Sequence, residues 1–251
     1  MSRNITSRAV VLRHSRMGEF HKRLELLTEE YGVINAVAHG AYKGKGKLTG
    51  VTEPLTSIMA YLYKEPVKNS YKITDAVCNN TFERIRTSLK RYYCASLIAE
   101  LVLKSFGGGT HTSEVFNLVL SAFEALEETP EALVHFVLFQ FLWRYIWFQG
   151  FQPHIDTCNS CGKTIETNSP AYYYREYGVM VCGECKRTNM VKLSPGGRAY
   201  LHYTSSQPFS RAVSVKTDTA TREELKRFLF AMSEDIVETS LNTLKTGDNF
   251  F

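Results

Sequence analysis

Thr56-Ser-Ile-Met-Ala-Tyr-Leu-Tyr63 sets Ala60 and Leu62 against Tyr61 and Tyr63, an alternation of period two. In such a run, successive side chains point to opposite faces of a β-strand. Upstream, Ile5 to His14, Arg23 to Thr28 and Val33 to His39 have the same Val, Ile, Leu and Thr character, and Tyr71 to Val77 repeats it downstream. Turn chemistry separates these runs at Met17-Gly18, Tyr31-Gly32, the stretch Gly40 to Gly50, and Glu65-Pro66. Five short strands within about 75 residues predict a small closed barrel, and the five-stranded OB fold is the common barrel of that size with nucleic-acid duties. An SH3-like barrel has the same periodicity.

From Thr81 the period lengthens to between three and four, and Ile85, Leu89, Tyr92, Tyr93, Leu97, Leu101 and Val102 form the apolar stripe of one long helix ending at Gly107-Gly108-Gly109. Thr112 or Ser113 caps a second helix that stops at Thr129-Pro130. The next, to about Phe148, is apolar almost all round and reads as the buried centre of the helical part. Glu131, His135, Gln140, Arg144 and Gln149 interrupt it, which argues against a membrane span. Ala171 to Tyr174 and Val179 to Val181 read as a hairpin about Glu176 to Gly178. A helix starts at the Ser194 cap with Pro195 at its first position, and a last helix runs from about Arg222 to Leu244. The expected fold class is therefore α+β and multidomain. It comprises an OB-fold barrel (1–79), an α-helical domain (80–153 with 193–245) and an inserted four-cysteine zinc module (154–192).

The module is read from Cys158-Asn-Ser-Cys161 and Cys182-Gly-Glu-Cys185, two Cys-x-x-Cys pairs separated by 20 residues. This is the spacing of a structural zinc site, because a two-residue gap lets one tight turn aim two thiolates at one tetrahedral ion. Gly162 and Gly183 offer each knuckle a residue free to take positive φ. One Zn2+ is expected, and four thiolates would leave no open coordination position for catalysis. Cys78 and Cys94 stand apart and read as small buried hydrophobes. A deaminase reading fails because His154-Ile-Asp156 has Asp where that signature has Glu, and Cys182 follows Val181 rather than a proline.

Apolar residues make up 44% of the 251, enough for a sizeable core. The start, MSRNITSRAVV, lacks the apolar core of a signal peptide, so the expectation is a soluble, cytoplasmic protein with no membrane partner. Charge is unevenly placed: residues 1–110 carry a net +8, whereas 111–150 carry −4. A basic footprint of this kind fits a polyanionic partner. Arg8, Arg13, Arg16, Lys22 and Arg23 cluster around the first two strands, and Lys43, Lys45 and Lys47 alternate with glycine in the run Gly40 to Gly50, with Tyr42 beside them. Cations present phosphates with charge while an exposed aromatic stacks bases, so these nine are the candidate DNA-binding residues. Alternating Lys and Gly is also how a solvated surface loop looks. The same run is no Walker A loop, since five residues separate Gly40 from Gly46 and Leu48 replaces the hydroxyl. No nucleophile elbow or His-Glu-x-x-His motif occurs, which favours binding over catalysis.

Several pieces, in order, resemble the RecO family of recombination mediators: Ala9-Val-Val-Leu-Arg-His-Ser-Arg-Met-Gly-Glu19, Leu26-Leu-Thr-Glu-Glu-Tyr-Gly32, Ala36-Val-Ala-His-Gly40, Glu53-Pro-Leu-Thr, Gly150-Phe-Gln-Pro153 leading to Cys158-x-x-Cys-Gly162, the pair at Cys182 and Cys185, and Leu193-Ser-Pro195. The resemblance implies an OB-fold domain that binds single- and double-stranded DNA, joined to a helical domain carrying a zinc module. It implies annealing of complementary strands and, with RecR, loading of RecA onto strands coated by single-strand-binding protein, within the bacterial nucleoid. His39 stands where many members look to have Lys or Arg. The alternative is a zinc-containing RNA-binding or transcription factor, distinguished by a preference for RNA and no acceleration of DNA annealing.

Overall fold

A computed structural model describes residues 3–43, 46–66, 70–105, 109–237, 239–247 and 250. Lys45 and two of the glycines at 107–109 lie outside them.

The alternating segments form β1 (Asn4–Met17), β2 (His21–Thr28), β3 (Gly32–Ala38), β4 (Thr56–Lys64) and β5 (Tyr71–Asn80). They close into a barrel in the order β1-β2-β3-β5-β4, with β3 and β5 parallel and every other pair antiparallel. Alternation explains which side is filled: Leu24 and Leu26 of β2, Ile34, Ala36 and Ala38 of β3, and Ile58, Ala60 and Leu62 of β4 all point into the core. Register slips between Val11 and Arg13 of β1, a bulge that bends the strand. Val10, Val11 and Leu12 are consequently all buried, and Arg13 emerges exposed.

The expected single helix after the barrel is two, α1 (Glu83–Thr87) and α2 (Leu89–Lys104). Ser88 is extended (φ −117°, ψ 118°) and its hydroxyl accepts from the Arg91 N–H, so it ends one helix and caps the next. The stripe is broken accordingly, for Leu89 and Tyr92 are exposed while Ile85, Leu97 and Leu101 are fully buried. α3 spans Thr112–Glu128 as expected. Its Glu127 carboxylate accepts from the backbone N–H groups of Arg84 and Ile85, giving α1 the cap that Phe82 cannot provide.

Helices α1 to α3 pack with the barrel in one compact unit ending at Glu128, and a second unit starts at Thr129. The second is built on α4 (Val134–Phe148), preceded by a 3-10 turn at Glu131–Leu133. It is buried all round up to Ile146 except at the half-buried Arg144, and only Trp147 at its end is exposed. α5 (Pro195–Ser205), α6 (Phe209–Ala212), α7 (Thr219–Val237) and α8 (Asn242–Gly247) follow, with α5 and α7 packed on α4. The last two replace the single helix expected from Arg222 to Leu244. Two polar side chains of α4 find partners on α5: Gln140 donates to Tyr200 Oη at 2.8 Å and the Trp143 indole to Ser205 Oγ at 2.8 Å. The expected hairpin is β6 (Ala171–Tyr174) and β7 (Val179–Val181), and β8 (Val191–Leu193) adds a third strand on the far side of β6. Tyr173 turns inward onto Phe228 of α7, with rings 5.5 Å apart. Among the described residues, no helix is long and apolar enough to cross a membrane.

Candidate metal centre and nucleic-acid interface

Two tight turns bring the four cysteines together. In the first, Cys158 N–H donates to Lys163 O and Gly162 N–H to Cys158 O, both at 2.9 Å, and Gly162 takes the left-handed conformation (φ 72°) that the turn needs. Asn159 N–H donates to Met180 O at 2.9 Å, tying this turn to β7. The second turn leaves β7 directly, with Cys185 N–H donating to Cys182 O at 3.2 Å. Gly183 does not use positive φ; a side chain there would lie against the Tyr172 ring.

The four Sγ atoms lie within 4.8 Å of one another, and Cys161 and Cys182 are 3.9 Å apart. A tetrahedral ion with metal–sulfur bonds of about 2.3 Å requires sulfur–sulfur edges of about 3.8 Å, so the cluster has the size of a coordination sphere. Its electrostatics point the same way. Burial opposes ionisation of Cys158, yet N–H groups of Cys182, Cys161 and Ser160 converge on its sulfur and hold its pKa at about 6. Cys185 goes the other way, to about 12, because the favourable bond from Ser160 is outweighed by Cys161 and Cys182. The opposite shifts of Cys158 and Cys185 follow from the crowding of these groups about one point, where a cation is favoured. The four cysteines could hold one metal ion. Of the remaining two, Cys94 is buried in α2 and pushed up to about 12 by that burial. Cys78, expected to be buried, is exposed at the end of β5.

The candidate DNA-binding residues divide. Arg16, Tyr42 and Lys43 gather at the end of the barrel where the β1–β2 turn meets the β3–β4 crossing. Tyr42 N–H donates to Phe20 O at 3.1 Å, stitching the two together. The exposed Tyr42 ring has the Arg16 guanidinium at 5.6 Å, and the exposed Phe20 ring has the Lys43 ammonium at 5.5 Å. Gly46 closes the turn so tightly that a Cβ would stand 2.9 Å from Gly40 O. Lys47 and Arg23 are exposed. Arg13 is exposed too, but its guanidinium forks onto the Glu25 carboxylate, a bond that raises its pKa further.

Two of the nine do not belong to this face. Lys22 is fully buried, its ammonium bonded to Glu53, which corrects its assignment as a DNA contact. Arg8 lies eight residues from Arg16 along β1, roughly 25 Å for an extended strand, where it pairs with Glu29 and covers Phe116. Slight desolvation, with His21 and Lys72 nearby, lowers the pKa of the exposed His39, so it is a weaker cation than the Lys or Arg that the resemblance implies there. Sequence reasoning missed Phe20, whose signal was an apolar residue directly after Met17-Gly18-Glu19, where a turn cannot bury it.

Comparison with known proteins covers nearly the whole chain. The family model described as Recombination protein O N terminal matches residues 1–82, and Recombination protein O C terminal matches residues 86–245. Among curated relatives, the DNA repair protein RecO of Heliobacterium modesticaldum is 32% identical over 203 residues, covering 78% of this chain and 72% of the relative. That of Roseiflexus sp. is 27% identical over 243 residues, 96% and 84% of the two chains. That of Alkaliphilus metalliredigens is 28% identical over 181 residues, 72% of each. On the strength of both family models and these relatives, the chain belongs to the RecO family of DNA repair proteins.

Proposed function

We propose that this protein is a non-enzymatic recombination mediator whose barrel (1–79), working as an OB fold, binds single- and double-stranded DNA and anneals complementary strands. The observation that carries this reading is the pairing of two exposed aromatic rings, Phe20 and Tyr42, with cations from the same two loops. Rings of this kind stack unpaired bases, and the surrounding Arg13, Arg16, Arg23, Lys43 and Lys47, with Lys45 in the same loop, attract phosphates. Annealing makes and breaks no covalent bond. It requires only that the repulsion between two polyanions be lowered, and a net +8 over residues 1–110 does so.

The four-cysteine module (154–192) holds one structural Zn2+ through Cys158, Cys161, Cys182 and Cys185, since a closed tetrahedron of sulfurs suits zinc and leaves no position for a substrate. The helical segments 80–153 and 193–245 carry the barrel and the module. In the cytoplasm, at the nucleoid, the protein acts with RecR to load RecA onto strands covered by single-strand-binding protein. The decisive experiment is annealing of complementary oligonucleotides, bare and coated with single-strand-binding protein, with and without RecR. Acceleration of the bare reaction, and of the coated one with RecR, is expected. Tight binding to RNA with no acceleration of DNA annealing would overturn the reading in favour of an RNA-binding factor.

A further inference from the structure

We propose that Lys22 and Glu53 form a clamp that positions Tyr42, Lys43 and Lys47 for DNA, an inference that rests on the DNA-binding reading above. Lys22 follows the inward phase of Leu24 and Leu26 on β2 and has no exposed surface. Its ammonium donates to Glu53 Oε1 at 2.6 Å and to Thr49 O at 3.3 Å, and lies 5.0 Å from the centre of the Tyr42 ring. All three of these partners come from the crossing between β3 and β4. Glu53 is also approached by His14 of β1 (Nδ1 to Oε2, 3.7 Å), which stands edge-on to Tyr42.

An ammonium removed from water is strongly unfavourable unless it stays paired and hydrogen-bonded. The crossing therefore cannot swing away at Tyr42, Thr49 and Glu53 without orphaning Lys22, and these three are held in one arrangement before DNA arrives. Ordering that need not be done on binding appears as affinity. Lys22 and Glu53 are thus positioning residues that touch no DNA. The assignment opposes simple electrostatics, because Glu53 is an acid beside a face that binds a polyanion.

The test is the full-length double variant Lys22→Met/Glu53→Gln, which keeps the net charge and leaves no buried ion unpaired. Binding to a fluorescent oligo-dT strand is measured across a salt series, with amide exchange of residues 46–55 and a thermal melt alongside. The expected result is a folded protein with about fivefold weaker binding at every salt, an unchanged salt slope and faster exchange in the loop. Unchanged affinity would overturn the clamp, and so would a flatter slope, which would make Lys22 a phosphate contact. Should the double variant fail to fold, Glu53→Asp keeps every charge while shortening the reach, and binding equal to the parent's would overturn the proposal instead. The control Lys43→Ala/Lys47→Ala separates the two levels: if it binds as the parent does, the DNA face itself is wrong and the clamp falls with it.

Discussion

The buried guanidinium of Arg198 donates to Asp156 Oδ1 at 2.5 Å, and this bond is one of four that α5 extends to the segments before and after the first cysteine turn. Arg198 also donates to the carbonyls of Glu166, Ser169 and Ile165 at 2.7–3.0 Å. Asp156 in turn accepts the Ile165 N–H on its own carbonyl, so the strands flanking Cys158 and Cys161 are held from inside the molecule. Arg198→Met removes the donor from three carbonyls, of which that of Ile165 is bonded in the buried interior and costs about 1–3 kcal/mol when orphaned. A melt should show a large destabilisation, and metal titration a weaker site although no ligand has changed.

Metal analysis of protein purified without chelator should find one zinc per chain, and Cys158→Ser or Cys182→Ser should lose it. Because metal binding supplies folding free energy to such modules, chelation should raise amide exchange over residues 155–190 before it affects the barrel. Zinc-free protein with unchanged exchange there would count against the site.

Replacing Lys43, Lys45 and Lys47 together by Ala should weaken binding to all DNA sequences alike. The slope of log affinity against log salt should fall by up to about 0.7 per lost contact on single strands and 0.9 on duplex. Arg16→Ala should act in the same direction. Arg13→Ala should have a smaller effect, since Glu25 already answers part of its charge.

Phe20→Ala and Tyr42→Ala should instead discriminate between strands. Each is expected to cost about 1–3 kcal/mol on single-stranded DNA, the worth of one stacked base, while duplex affinity changes little. Equal losses on both forms, measured by anisotropy, would show that the rings do not stack on bases.

Acid should loosen the second unit through two carboxylates. Hydrogen bonds from Thr221, side chain and backbone, hold Asp218 below its ordinary 3.8 where it caps α7. Burial opposes ionisation of Glu224, but bonds from Ser194 and Lys192 outweigh it and hold the group below 4.5. Both are more acidic folded than unfolded, so their contribution is complete above the ordinary values and is lost as pH falls through the lowered ones. Asp218→Asn and Glu224→Gln should lower neutral-pH stability and flatten that acid limb.

Much of this architecture could be read from residue order. The β4 alternation, the Ser194-Pro195 start of α5 and the cysteine spacing are local signals, and each element lies within a few residues of its expected span. Signals that depend on distant partners were misread. Lys22 was counted with the surface cations, although its phase with Leu24 and Leu26 already placed it inside; what could not be read was Glu53, 31 residues away, which makes that burial tolerable. Ser88 interrupted a helix because it could cap, a competition that an apolar stripe does not register. β8 escaped notice because three residues carry no periodicity, and only pairing with β6 makes them a strand.

The parallel contact of β3 with β5 spans three residue pairs, Ala36 with Tyr71, Val37 with Lys72 and Ala38 with Ile73, against seven or more in each antiparallel ladder. Parallel pairing between distant segments forms late, because the chain between them must be confined before any bond rewards it. The β1-β2-β3 and β4-β5 segments can thus each zip as chain neighbours, the long β1–β4 ladder joins the two, and the three-pair β3–β5 seam closes the ring. In refolding, protection of the amides along this seam should be the slowest barrel event, and in native-state exchange it should be the first ladder to open.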